Sequence, residues 1–126
     1  MKLVLAIAAG GAIGAVARHF VNVQAAVLLG SGFPWGTLTV NIVGSFLMGV
    51  LIETSALIWS PGPALRAMLA VGVLGAFTTF SSFSLDVAVL YERGQLLHAA
   101  AYILSSVVLS IAALFAGLAL IRALAP

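Results

Sequence analysis

The sequence predicts an all-α membrane protein with four transmembrane helices. Hydrophobic residues make up 63% of the 126 positions and charged residues only 6%, whereas a soluble domain carries about a quarter charged residues. Four apolar stretches reach the roughly 20 residues that a helix needs to cross a bilayer. We therefore expect one four-helix domain over residues 1–126, with spans at about 3–23, 36–59, 65–91 and 96–124.

The first span begins with an apolar run that also resembles the core of a signal peptide. The run continues through Gly10 and Gly14 to the length of a full span, so we expect it to be retained. These two glycines lie four residues apart and favour close helix packing. Arg18 either extends to the membrane interface as a structural cation or forms a vestibule that attracts anions.

Polar side chains recur every fourth residue in the second and fourth spans. The two stripes are Thr37, Asn41 and Ser45, and Tyr102, Ser106 and Ser110. Residues four apart share one face of a helix, so the stripes indicate a polar path through the bundle. Alternatively, the hydroxyls bond to their own helices, and Asn41 makes a hydrogen bond to a neighbouring helix.

The third span is predicted to break at mid-membrane. Its centre, residues 72–84, combines glycines, β-branched residues and five hydroxyl groups. Irregular backbone at this depth is tolerated where protein or a wet cavity surrounds it, and its freed carbonyls can coordinate a cation. Phe77, Phe80 and Phe83 recur every third residue, which fits core packing or a row of electropositive ring edges facing an anion.

The remaining composition excludes several classes of function. Charged residues are scattered singly, which gives no support for nucleic-acid binding, and the absence of cysteine excludes disulfides and thiolate sites. The chain has no phosphate-binding glycine loop and no zinc-binding helix motif, so we do not expect an enzyme. Hydroxyls, an amide and ring edges without a central carboxylate suit a small anion.

The distribution of cations predicts a weak preference for one membrane orientation. Both termini and the loop before Arg66 share one side, so Lys2, Arg66 and Arg122 oppose Arg93 and Arg18. A margin of three to two is almost no positive-inside bias. We therefore expect insertion in both orientations and antiparallel pairing of two copies.

Three motifs occur in an order that resembles a known family. They are residues 10–18 (GGAIGAVAR), 36–41 (GTLTVN) and 75–84 (GAFTTFSSFS). Together they make the chain resemble the Fluc fluoride channels, also called CrcB, over essentially all four spans. The resemblance implies an antiparallel, dual-topology homodimer in a prokaryotic cell membrane, with passive fluoride export through two pores between the subunits.

The same resemblance implies roles for individual residues. Asn41 would donate to the ion, the ring edges of Phe80 and Phe83 would line its path, and Arg18 would lie in a vestibule. The other implied path residues are Thr37, Thr79, Ser81, Tyr102, Ser106 and Ser110. The backbone carbonyls of Gly75 and Thr78 would hold a structural sodium ion (Na+) that is not transported. Ser82 and Asp86 replace the family's usual threonine and frequent glutamate, and their roles stay open.

Two other classes of membrane protein compete with the channel interpretation. A small dual-topology, proton-coupled transporter of organic cations needs a central membrane carboxylate, and the first span has no acidic residue. A noncatalytic scaffold subunit would explain the small-residue packing but not two polar stripes beside a broken helix. We therefore expect a fluoride channel whose partners are fluoride, membrane lipid and a second copy, with no nucleic acid.

Overall fold

The computed structural model describes all 126 residues, which form helices joined by short loops. Helix α1 covers Lys2–Leu29 and α2 covers Trp35–Leu57. Helix α3 comprises Pro63–Ala67, Met68–Leu74 and Gly75–Phe77, α4 covers Ser81–Glu92 and α5 covers Leu96–Leu124. Helices α3 and α4 together form one span, Pro63–Glu92, so the chain has the four membrane-length apolar segments that the sequence predicts.

Helix α1 is longer than the predicted first span, because it continues past residue 23 to Leu29. Alanine and leucine dominate this extension and favour the helix. The helix ends at Gly30, whose positive φ of 80° is readily adopted by glycine and rarely by other residues. At 1.5 Å per residue, Arg18 lies about 16 Å from that end, deep along the span.

The third span breaks within the predicted region. Thr78 takes an extended conformation with φ −86° and ψ 159°, and the helix resumes at Ser81. The break is confirmed. The segment Met68–Leu74 before it is a π-helix, a form that is rare and concentrated at functional sites. No pattern in the sequence predicts it.

Glycines bring the helices into backbone contact. A Cβ atom added at Gly10 or Gly14 would collide with backbone carbonyl oxygens of α3, and one added at Gly49 would collide with a carbonyl of α5. Small residues permit such close approach in membrane proteins. The predicted packing at Gly10 and Gly14 is therefore present, and it lies between α1 and the π-helical part of α3.

The surface of the bundle is apolar. Only 20 of the 126 residues are buried, and large aliphatic and aromatic side chains cover much of the exposed surface. Such an extensive apolar surface requires lipid or another protein against it. A small buried cluster of Leu38, Phe83, Leu90, Ala99 and Tyr102 joins α2, α4 and α5, and it supports one side of the break.

Candidate functional site

A groove of about 400 Å³ lies beside the break and is bounded by α2, α4 and α5. Most of the residues that the sequence singled out line it together: Asn41, Gly75, Thr78, Thr79, Phe80, Phe83, Ser106 and Ser110. Ser45, which belongs to the predicted stripe on α2, also lines the groove, and Val107 and Ile111 form its apolar wall. Two residues of each polar stripe and the break therefore meet on one surface.

Asn41 fastens the break to α2. Its Nδ2 donates a hydrogen bond to the Thr79 carbonyl oxygen at 3.0 Å, and its Oδ1 accepts one from the Thr79 amide at 2.8 Å. A side-chain amide carries two N–H donors, so one N–H of Asn41 remains without a protein acceptor. The bond to a neighbouring span, which the sequence predicts as the alternative role of Asn41, is present. One donor of the amide remains free at the groove.

The break frees backbone carbonyls, among them those of Gly75 and Thr78, which line the groove. In an unbroken α-helix the amides of Thr79 and Ser82 would bind them. The Thr79 amide instead binds Asn41 Oδ1, and the Ser82 amide binds Thr79 Oγ1 at 3.1 Å. Both carbonyl residues line the groove, so this chain offers the oxygen ligands that a hard cation prefers.

Ser106 and Ser110 present buried hydroxyls without partners. Both Oγ atoms are inaccessible to solvent and make no hydrogen bond within the chain. An unsatisfied buried hydroxyl costs about 1–3 kcal/mol, and native proteins rarely retain one without a reason. Because both serines line the groove, their hydroxyls are suited to bind a small ligand there.

Phe80 and Phe83 form an adjacent pair of rings, with centroids 5.5 Å apart and planes inclined by 49°. Phe83 is buried and its ring also contacts that of Tyr102, at 5.1 Å. Phe80 is 77% exposed although it lies in a membrane span. Core packing therefore accounts for Phe83 but not for Phe80, which projects from the open side of the groove.

A second cavity of about 390 Å³ lies beneath the α1–α2 loop. Its polar lining residues include Asn22, Thr37, Ser82, Asp86 and Arg93. The Nη1 atom of Arg18 lies 3.5 Å from Ser82 Oγ, which places the predicted vestibule residue beside this cavity. Thr37, predicted as a path residue, thus lies at the second cavity and not in the groove.

Tyr102 contacts one lining residue of each cavity, Phe83 of the groove and Asp86 of the second cavity. It is fully buried, and its hydroxyl donates to Asp86 Oδ2 at 2.9 Å. The stripe on α5 therefore begins at Tyr102, which bonds to Asp86 of α4 at the second cavity, and continues to Ser106 and Ser110 in the groove. Ser81, also predicted as a path residue, is exposed next to the groove, with its Oγ 3.4 Å from Thr79 Oγ1.

Comparison with known proteins gives matches over nearly the whole chain. A family described as "CrcB-like protein, Camphor Resistance (CrcB)" matches residues 5–118. A protein of Rhodospirillum centenum named fluoride-specific ion channel FluC is 61% identical over 122 residues, which cover 97% of each chain. A FluC of Agrobacterium fabrum is 59% identical over 116 residues, which cover 92% of this chain and 93% of the relative.

These relatives are bacterial and are named as ion channels, not as enzymes. Four membrane-length helices agree with them and make this chain a multi-pass membrane protein. The matched region includes the groove, both polar stripes and the break. The chain therefore belongs to the CrcB family.

Proposed function

We propose that this protein is a fluoride-specific ion channel. The observation that carries the proposal is the pair of buried, unpartnered hydroxyls of Ser106 and Ser110 in the groove. The free N–H of Asn41 adds a third donor, and the groove lining contains no carboxylate. Such a surface favours a small anion, and the names of the relatives identify fluoride as that anion.

Fluoride is strongly hydrated, so a selective path must replace its water contacts. Hydroxyl and amide donors in the groove would supply strong hydrogen bonds, and the electropositive edges of Phe80 and Phe83 would supply weaker ones. No lining residue carries a fixed positive charge that would trap the ion. This combination favours binding that is strong enough for entry and weak enough for release.

The open side of the groove is the place for a second copy of the chain. An isolated subunit leaves Phe80 exposed and the groove unclosed, an arrangement that conducts no ion across lipid. The weak positive-inside bias supports an antiparallel, dual-topology homodimer. A two-fold axis would then create two equivalent pores, each closed by the partner.

The freed carbonyls of Gly75 and Thr78 are the proposed ligands of a structural sodium ion. Two residues supply too few oxygens for a complete shell, and a two-fold axis would double them. The ion would neutralise the carbonyl dipoles and hold the two broken helices together. Sodium is not transported in this proposal.

Conduction is proposed to be passive. An inside-negative membrane potential would drive the anion outward, which lowers cytoplasmic fluoride after acid entry as hydrogen fluoride. Arg18, beside the second cavity, would raise the local anion concentration at a vestibule. Fluoride movement against an imposed electrochemical gradient would contradict passivity.

The proton-coupled transporter is disfavoured by the placement of the carboxylates. Glu53 pairs with Arg122 away from the groove, and Asp86 accepts a hydrogen bond from Tyr102. Neither lines the groove, so no carboxylate is available there for proton exchange. A channel needs none.

Fluoride efflux from liposomes that contain the purified protein tests the proposal. A fluoride electrode would record release after a potassium ionophore is added, and chloride release would be recorded in parallel. Rapid fluoride release with negligible chloride release is expected. Correctly inserted dimer that releases no fluoride would refute the channel.

A further inference from the structure

Helix α1 packs backbone to backbone against the segment that leads into the break. A Cβ at Gly14 would collide with the Val73 carbonyl oxygen and lie about 3.0 Å from the Phe77 amide nitrogen. Phe77 is the last helical residue before the extended Thr78. Because these neighbours are backbone atoms, no side-chain rotation could relieve the collision.

The π-helix explains why the contact is so close. Its hydrogen bonds run over five residues, as in the bond from the Gly75 amide to the Ala70 carbonyl. Such turns are wider than α-helical ones, so the neighbouring helix must present small residues. Gly72 contributes from the other side, because a Cβ there would lie 2.7 Å from the Ile7 carbonyl oxygen.

The segment is also held from the side of α2. A Cβ at Gly44 would collide with the methyl group of Thr78. The Thr78 hydroxyl donates to the Leu74 carbonyl at 2.9 Å, which fixes its side-chain rotamer. Thr78 therefore has little freedom to move towards either α1 or α2.

We infer that Gly14 is a positioning residue that sets the place of the freed Gly75 and Thr78 carbonyls. The inference rests on the sodium site of the proposed function. Binding groups must be held within about 0.5 Å of the productive geometry. A methyl group at Gly14 would push the segment from Val73 to Phe77 away from α1 by a distance of that order, and the carbonyls would move with it.

The chain supplies a matched control in Gly11. It lies on the same helix, yet an added Cβ there meets nothing within 4 Å. Gly11→Ala and Gly14→Ala therefore make the same change in helix propensity. Only the second variant changes the contact with α3.

The test is the sodium dependence of thermal unfolding. Wild type, Gly11→Ala and Gly14→Ala would be purified in detergent without sodium, at one protein concentration. Unfolding would be followed by circular dichroism as sodium chloride is added, with potassium chloride as the control for ionic strength. A ligand that binds only the folded state raises the melting temperature with its concentration.

Wild type and Gly11→Ala are expected to show the same sodium-specific rise. Gly14→Ala is expected to need at least about tenfold more sodium for that rise, which corresponds to about 1.4 kcal/mol of lost binding. An unchanged sodium dependence in Gly14→Ala would overturn the inference. So would an equal change in Gly11→Ala.

Two further measurements distinguish a wrong inference from misfolding of the variant and from a missing sodium site. If Gly14→Ala does not fold, Gly44→Ala replaces it, because an added Cβ there meets side-chain atoms of Thr78 and Phe77 and no backbone atom. An unchanged sodium dependence in that variant again overturns positioning from these contacts. A wild type without a sodium-specific rise would refute the sodium site together with the inference. Fluoride efflux from wild-type liposomes would still test the channel separately.

Discussion

Asn41 binds both polar groups of residue Thr79, its amide at 2.8 Å through Oδ1 and its carbonyl at 3.0 Å through Nδ2. One side chain therefore satisfies both backbone groups of Thr79, which have no helical partners at the break. By holding the Thr79 amide, Asn41 also leaves the Gly75 carbonyl free. The attachment of the break to α2, the free Gly75 carbonyl and the proposed donor to the anion all depend on Asn41.

Asn41→Ala is predicted to reduce fluoride flux by at least about tenfold. It leaves the Thr79 amide and carbonyl unpaired inside the membrane, at about 1–3 kcal/mol for each group, and removes the free donor from the groove. Electrode-recorded efflux from liposomes measures the effect. The control is Thr39→Ala, because the Thr39 hydroxyl bonds only to the Trp35 carbonyl of its own helix. Equal flux in the two variants would contradict the role given to Asn41.

Ser106→Ala and Ser110→Ala are predicted to lower flux without lowering thermal stability. Their hydroxyls are buried and unpartnered, so their removal ends a desolvation penalty instead of breaking a bond. Efflux and the melting temperature would be measured on the same preparations. Ser105→Ala is the control, because its hydroxyl binds the Tyr102 carbonyl at 3.3 Å and does not line the groove. Unchanged flux in both variants would remove the main support for an anion path.

Phe80→Ile is predicted to abolish most fluoride flux while the protein still folds. Phe80 is 77% exposed in the single chain, so the substitution removes a ring edge from the path with little loss of packing within the subunit. Phe20→Ile is the matched control, since Phe20 is also largely exposed but lies on α1. Size-exclusion chromatography would check assembly before efflux is recorded. Full flux through an assembled Phe80→Ile dimer would contradict a path along these rings.

The sequence predicted the spans and most of the groove because both depend on local patterns. Apolar runs locate the helices. A spacing of four residues places Asn41 and Ser45 on one face of α2, and Ser106 and Ser110 on one face of α5. The structure adds the partner that each face meets. Thr37 shares a stripe with Asn41 yet lies at the second cavity, because adjacent turns of α2 meet different neighbours.

Other features depend on tertiary contacts, which local sequence patterns do not predict. The predicted end of the first span near residue 23 put Arg18 close to the interface, but α1 continues to Leu29 and carries Arg18 deeper, beside Ser82. The bond between Tyr102 and Asp86 joins positions on different helices. The π-helix before the break packs closely against Gly10 and Gly14, a tertiary contact that joins two different spans.

The ion pair between Glu53 and Arg122 is predicted to stabilise the bundle without affecting flux. It joins α2 to α5 near their carboxyl ends, away from the groove. Glu53 has a side chain only 12% exposed, whereas that of Arg122 is 61% exposed. Substitution of Arg122 and substitution of Glu53 should therefore lower the stability of the folded protein by different amounts.

Arg122→Gln leaves a buried carboxylate unpaired and is expected to destabilise the fold by about 3–5 kcal/mol. Glu53→Gln leaves an arginine that can extend to water or headgroups, so its effect should be smaller. The double variant should be more stable than Arg122→Gln alone, because the unpaired charge is gone. Thermal unfolding in detergent would rank the three, and liposome efflux should match wild type for each protein that remains folded. Equal destabilisation by the two single variants would mean that burial of Glu53 does not control the stability of this pair.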